Sequence, residues 1–334
     1  MRPRALQPGD TVGICSPAGP VPPERLEALV ARCEAWGWRV RVAPHALCRH
    51  GYLAGTDAER LADLNAMLAD PGLAAVFCSR GGYGSMRLLP CLDYAGLARA
   101  PKCVVGFSDI TALHLAIGRH SGLVTFHGPM APLGERPEPA DNAERLHRAL
   151  TAAEPLGPIE QPPAGPPLVT IVPGRARGPL VGGNLTLIAA TLGTPYEIDT
   201  RGAILLLEDV GEAPYRIDRL LTQLALAGKI EAAAGIVIGE MVDCEPPVPA
   251  GGERPAAEGG RGPRPGAAAA PPESKTSLSL VEVYQEVLAP FGKPILSGLA
   301  CGHGRYCLTL PLGVEAVLDA TAQTLVIEEA ACAG

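Results

Sequence analysis

The chain has 334 residues, 47% of them hydrophobic, with 40 Gly, 35 Pro and a formal charge of −7 from 28 basic and 35 acidic side chains. Gly plus Pro reach about 22% against roughly 12% in average usage, but so apolar a chain is not a disordered one, and its length exceeds what one core usually supports. An acidic balance with no basic stripe excludes a nucleic-acid groove or an anionic membrane surface as partner.

Met1 to Asp10 lacks the order of a secretory signal, and no run of about 18 residues is apolar enough to span a bilayer. Thr11 to Cys15 predicts a strand ending in the turn Ser16-Pro17-Ala18-Gly19-Pro20. Leu26, Leu29, Val30 and Cys33 have helical spacing, with Gly37 placed to end the helix. Trp38 to Ala43 reads as strand, and Thr56-Asp57-Ala58-Glu59 has the form of a capping box before Leu61, Leu64 and Leu68. Leu73 to Cys78 and Cys103 to Val105 are further apolar strands, the second leading into a helix from Ser108 to Arg119. Apolar strands separated by amphipathic helices predict a parallel sheet covered on both faces.

Eight Pro in the 25 residues 155–179 mark a linker between a first domain, 1–154, and a second, 180–334. The second domain repeats the α/β pattern: a strand Ala203 to Leu207 ending at Glu208-Asp209, a helical stripe at Leu220, Leu221 and Leu224, and a strand Gly235 to Gly239. Residues 245–273 are Pro, Gly or Ala at 21 of 29 positions and read as a flexible surface insertion. A helix Leu280 to Leu288 follows, then short strands near Leu296, Leu308, Val314 to Leu318 and Leu325 to Ile327.

Ligands of open α/β sheets collect at the carboxyl ends of strands, and three such places carry chemistry. Gly106-Phe107-Ser108-Asp109-Ile110 puts a serine just past a strand, where backbone N–H groups and the helix dipole favour a developing oxyanion. The plain alternative is that Ser108 caps the helix. Ile110 stands where a G-x-S-x-G elbow needs Gly, so an α/β-hydrolase is not supported. Arg80-Gly81-Gly82-Tyr83-Gly84-Ser85 is either a cradle for substrate oxygens or a plain tight turn, and matches no nucleotide fingerprint. Glu208 could orient a histidine, and His303, between Gly302 and Gly304, suits a general base. His45, His50, His114, His120, His127 and His147 have weaker contexts and default to ordinary roles. Cys301 and Cys307 flank His303 at a spacing that fits no common zinc site, and the ten Cys read as reduced core thiols of a cytoplasmic protein.

Serine, acid and histidine thus occur in the order Ser108, Glu208, His303. With Gly9-Asp10-Thr11-Val12, Arg80-Gly81-Gly82-Tyr83-Gly84, Gly106-Phe107-Ser108-Asp109-Ile110, Phe126-His127-Gly128-Pro129, Gly182-Gly183-Asn184-Leu185, Leu207-Glu208-Asp209, Tyr215-Arg216-Ile217-Asp218-Arg219 and Gly302-His303-Gly304, the chain resembles the LD-carboxypeptidase family of serine peptidases. The resemblance implies a parallel α/β amino-terminal domain and a mixed α/β carboxy-terminal domain with the active site between them. It implies Ser108 as nucleophile, His303 as base and then acid, Glu208 orienting the histidine, and no metal or other cofactor. The oxyanion hole would come from the backbone of Asp109 and of Gly82 or Gly81, with Gly82 favoured, and Arg80 is a candidate for binding the substrate carboxylate. Cytoplasmic homodimers releasing terminal D-alanine from murein tetrapeptides are implied as well. Two other readings are a branch that cleaves a peptide–nucleotide antibiotic and a non-catalytic binder of peptide or phosphate. Cys307 stands where members often carry Asn.

Overall fold

The computed structural model describes residues 1–132, 139–246 and 277–334. Nearly all of the insertion read at 245–273 lies outside them. The chain begins with β1 (Thr11–Cys15), α1 (Pro23–Ala35), β2 (Arg39–Val42), α2 (Asp57–Ala69), β3 (Ala75–Cys78), α3 (Tyr94–Arg99), β4 (Cys103–Gly106), α4 (Thr111–Ser121), β5 (Thr125–His127) and α5 (Ala140–Thr151). There follow β6 (Gly157–Pro158), β7 (Val169–Val172), β8 (Arg175–Asn184), α6 (Leu185–Ala190), β9 (Ile204–Val210), α7 (Pro214–Leu226), α8 (Lys229–Ala232) and β10 (Gly235–Val242). The chain closes with α9 (Leu280–Val287), β11 (Ile295–Ser297), β12 (Leu310–Leu312), β13 (Glu315–Asp319) and β14 (Thr324–Ile327).

Local chemistry accounts for many of these boundaries. The Thr56 side chain accepts from the Glu59 N–H while Glu59 reaches back to the Thr56 N–H, so the expected capping box starts α2. Ser279 and Glu282 do the same for α9. Gly37 stands just beyond the last turn of α1 at φ +82, a conformation that costs glycine nothing.

Two sheets result. The first has the order β12-β5-β4-β3-β1-β2 and is parallel except at β12. Its strands β3 and β4 are buried at every position, as a sheet covered on both faces requires. The second, β6-β14-β13-β8-β9-β10-β11-β7, mixes parallel pairs around β9 with antiparallel pairs at both flanks.

The expected linker is not a bare connection. Residues 155–179 hold β6, β7 and the first half of β8, all strands of the second sheet. Most of its prolines stay out of central strands: Pro158 lies in an edge strand, and Pro162, Pro163, Pro166 and Pro167 lie between strands, whereas Pro179 sits within the central β8 opposite Glu315. The apolar segment near Leu308 forms its strand two residues later, and β12 joins the edge of the first sheet by pairing Leu310 with His127. The late chain therefore crosses back, and Arg4 bridges to Ala333 as well. At the seam between the sheets, the Asn184 N–H donates to Thr111 Oγ1 at 2.9 Å, where Gly183 leaves no room for a side chain.

Candidate active site

β4 ends at Gly106, and the chain turns through Phe107 and Ser108 into a short 3-10 turn before α4. Ser108 holds φ +62, a left-handed conformation costing a non-glycine residue roughly 1 to 2 kcal/mol. Such strain concentrates at functional sites. The side chain makes no helix cap; Phe107 occupies the cap position, so the capping alternative fails. Gly106 is required by packing, because a Cβ there would stand 2.8 Å from Ile110 Cγ2. The elbow thus accommodates Ile110 where a G-x-S-x-G turn has its second glycine.

Beneath the turn, His114 on α4 donates from Nε2 to the Gly106 carbonyl at 2.8 Å. Burial pushes its pKa down to about 4, so it is neutral and holds the strand end in place. The glycine-rich loop after β3 closes on the elbow from the other side. Ser85 N–H donates to Asp109 Oδ2 at 2.8 Å, and Ser85 Oγ donates to the Asp109 carbonyl at 2.6 Å. A Cβ at Gly81 would lie 2.8 Å from Ser108 Cβ and 3.1 Å from Oγ, so this backbone touches the serine directly. Gly82 has φ +106 and packs on Gly19. Gly19 N–H in turn donates to the Gly81 carbonyl at 3.0 Å. Arg80 points along the same loop, donating from Nη1 to the Pro20 carbonyl at 2.7 Å, and borders an open hollow with Tyr52 and Tyr83.

The second sheet contributes the other groups. Glu208, near the end of β9, is fully buried, which raises its carboxyl pKa, while the hydrogen bond from His303 opposes that rise. His303 Nδ1 lies 2.8 Å from Glu208 Oε2, and Nε2 lies 2.9 Å from Ser108 Oγ. A carboxylate only accepts, so Nδ1 carries the hydrogen and Nε2 is left to receive the serine proton. Gly302, at φ +113, lets the turn lie on Glu208, since a Cβ there would come within 2.5 Å of Oε2. The Phe107 ring meets the imidazole edge-on at 5.0 Å between centroids and has His127 on another side at 5.9 Å. Asn142 of α5 accepts from the Cys307 N–H at 3.0 Å and donates to the Arg305 carbonyl at 3.3 Å. Asn142 thus supports the histidine loop near position 307 through the loop backbone.

Ser108, Glu208 and His303 are in direct sequence of contact, with Gly81, Gly82 and Asp109 on the serine's flank and Arg80 farther along the loop. Several supporting residues carried no usable local signal. Asp209 is saturated by Asn184 Nδ2, Thr186 N–H, Thr186 Oγ and Val210 N–H, and so ties β8, α6 and β9 together beside Glu208. Asn142 lies in a helix the pattern did not mark. Among the described residues no group of three or more metal-ligating side chains comes together.

Relatives share this architecture. Sequence profiles of the LD-carboxypeptidase N-terminal and C-terminal domains match residues 12–128 and 177–318. The chain is 38% identical over 339 residues to the probable murein peptide carboxypeptidase of Bacillus subtilis strain 168, spanning 98% of this chain and 94% of that one. It is 34% identical over 316 residues to the murein tetrapeptide carboxypeptidase of Pseudomonas aeruginosa, 92% of each chain. The fold also matches the microcin C7 self-immunity protein MccF in its wild-type apo state, with a TM-score of 0.84, 25% identity and 100% of both chains covered. With both domain profiles matched in order on a shared fold, the chain belongs to the LD-carboxypeptidase family and is a serine carboxypeptidase.

Proposed function

We propose that the protein releases the terminal D-alanine of murein tetrapeptides through an acyl-enzyme on Ser108. The observation that carries this is the hydrogen-bond chain Glu208–His303–Ser108, at 2.8 and 2.9 Å. Ser108 Oγ attacks the carbonyl before D-alanine while His303 Nε2 takes its proton, and Glu208 stabilises the imidazolium that forms. Collapse of the tetrahedral intermediate breaks the C–N bond, and the imidazolium returns the proton to the leaving amine. Water then attacks the ester, giving its proton to His303, and Ser108 is regenerated as the shortened peptide leaves. Positioned proton transfer contributes ~10²–10⁴ in rate. Backbone N–H groups of Asp109 and Gly82, with Gly81 pressed against the serine, form the oxyanion hole, each donor worth roughly 3 kcal/mol. Arg80 receives the carboxylate of the departing residue.

A division into domains 1–154 and 180–334 belongs to the same proposal and is supported by the gap between the matched segments, which falls over the Pro-rich stretch. So do cytoplasmic location, a homodimer and a role in murein recycling; light scattering of the purified protein tests the homodimer.

Incubation with a murein tetrapeptide followed by mass spectrometry should show loss of one alanine residue, and Ser108→Ala should show none while retaining the native circular dichroism spectrum. Turnover by the Ala variant would refute the nucleophile. The second reading keeps every residue role and exchanges the substrate for an aminoacyl-nucleotide conjugate. It is favoured by the TM-score of 0.84 to MccF. Parallel incubation with such a conjugate distinguishes the two.

A further inference from the structure

A second cavity, of about 380 Å³, lies apart from the catalytic groups, bordered by α4, β8 and the end of β12. That is within the usual range for small-molecule sites, roughly 300 to 1,000 Å³. Leu115, Val181, Ile198 and Leu312 give it an apolar wall, with Leu312 from the first sheet and Val181 from the second. Ser108, Glu208 and His303 do not border it.

Three features of this wall are not explained by the fold. His114 is neutral and spends its Nε2 hydrogen on the Gly106 carbonyl, so Nδ1 is an acceptor, buried and with no hydrogen-bond partner among the described residues. The two acids of the wall are already matched, Glu197 by Lys229 and the Gly193 N–H, and Asp199 by Arg201. That leaves Arg119, exposed near the end of α4, which acts on Glu197 through space but makes no ion pair of its own among the described residues. The last-turn carbonyls beside it are occupied, Ile117 by Ser121 Oγ and Gly118 by the Gly122 N–H. Gly118 itself lies inside the helix, where glycine is less stable than alanine. Beyond the helix's own backbone no atom stands within 4 Å of where its Cβ would be, so packing does not demand glycine, and the bare backbone leaves the cavity open.

We propose that this cavity is an effector site for a small carboxylate with an apolar body and one N–H or O–H donor, such as an N-acylated aliphatic amino acid. The carboxylate pairs with the Arg119 fork, the alkyl group lies on Leu115 and Leu312, and the donor satisfies His114 Nδ1. The occupant reaches the nucleophile turn through one ring. A hydrogen bond accepted at Nδ1 polarises the imidazole and strengthens the Nε2 bond to Gly106, two residues before Ser108. The turn is then held more firmly in the strained geometry that sets Ser108 against His303. The inference rests on the nucleophile role proposed for Ser108 above.

The probe is N-acetyl-leucine, titrated into the full-length protein by calorimetry, with N-acetyl-leucinamide as its uncharged counterpart. N-acetyl-leucine should bind wild type with a Kd of about 1 mM or tighter, as its size allows. Replacing the acid by the amide, or Arg119 by Gln (Arg119→Gln), should each weaken binding by about tenfold. Gly118→Leu, which fills the cavity, should abolish it. Labelling of Ser108 by a fluorophosphonate should quicken by roughly twofold or more when the probe saturates wild type, and should not respond to it in Gly118→Leu. The rate ratio with and without probe is internal to each protein, so differences in folded fraction cancel. No binding by wild type, binding unchanged in either variant, or labelling that the probe leaves unchanged or slows overturns the effector site; slowing would place the probe at the catalytic serine instead. Failure of the fluorophosphonate to modify Ser108 at all refutes the nucleophile and the effector role with it, and calorimetric binding tells that failure apart from failure of the cavity.

Discussion

Glu208→Gln should move activity and stability in opposite directions. The carboxylate is fully buried, and among the described residues its Oε1 has no hydrogen-bond partner, so the bond from His303 Nδ1 is the largest part of its electrostatic compensation. Glutamine has nearly the same shape and no charge. If its amide nitrogen faces the ring, Nδ1 must become the acceptor, the hydrogen moves to Nε2, and the Ser108 proton has no receiver. If its oxygen faces the ring, the geometry survives but the imidazolium of the transition state loses its buried counter-charge. Either way kcat should fall by roughly 10³–10⁴, about 4 to 5.5 kcal/mol, with little change in KM. Stability has the other sign. Burial raises the folded-state pKa of Glu208 above its unfolded value, so the unfolded chain loses its proton first as pH rises. The acid therefore destabilises the fold above the unfolded pKa, and the penalty grows until pH passes the folded pKa. The glutamine variant should resist urea at least as well as wild type at pH 8, and the advantage should shrink toward pH 4. Steady-state kinetics on a tetrapeptide and urea titrations at the two pH values check both halves. Turnover within tenfold of wild type, or a variant less stable at pH 8 than wild type, would refute the reasoning.

Two further outcomes follow from backbone strain and from buried imidazoles. Ser108→Gly and Ser108→Ala both remove the nucleophile, but only glycine relieves φ +62, so the glycine variant should be more stable than the alanine one by about 1 kcal/mol in chemical denaturation. Equal stability would mean that the turn carries no strain. His127 is fully buried, neither ring nitrogen has a hydrogen-bond partner among the described residues, and burial pushes its pKa down to about 3. Its folded pKa lies below the unfolded value near 6.5, so its contribution is intact above pH 6.5 and is lost as pH falls. Between pH 7.5 and pH 5 that loss is about 2 kcal/mol. Urea titrations should find the pH dependence of His127→Phe weaker than that of wild type by this amount; parallel curves would contradict a neutral buried ring.

Much of the secondary structure was legible because its causes are local. The capping box at Thr56, the breaker at Gly37 and the apolar runs of β1, β3, β4 and β9 act within a few residues, and the elements appear where the pattern placed them. Other elements depend on distant partners. Proline density around residues 155–179 reads as linker, yet edge strands tolerate proline, and the second sheet recruits β6, β7 and the start of β8 from this stretch, with Pro179 paired inside β8. β12 is three residues long and becomes a strand because β5 offers it an open edge. No local property of Leu310–Leu312 names the sheet it will join.

The site divides in the same way. Gly-flanked His303, Ser108 after a strand and Glu208 at a strand end were each visible as residue types in suggestive places, and their order along the chain carried the family resemblance. The chain itself thus determined which side chains were available and which turns would expose them. Tertiary structure decided that Ser108 does not cap its helix and that the serine and histidine meet across 195 residues of sequence. Turns and caps are settled by interactions over a few bonds. Contacts between strand ends of two different sheets exist only after both sheets have formed and packed, so no short window of sequence contains them.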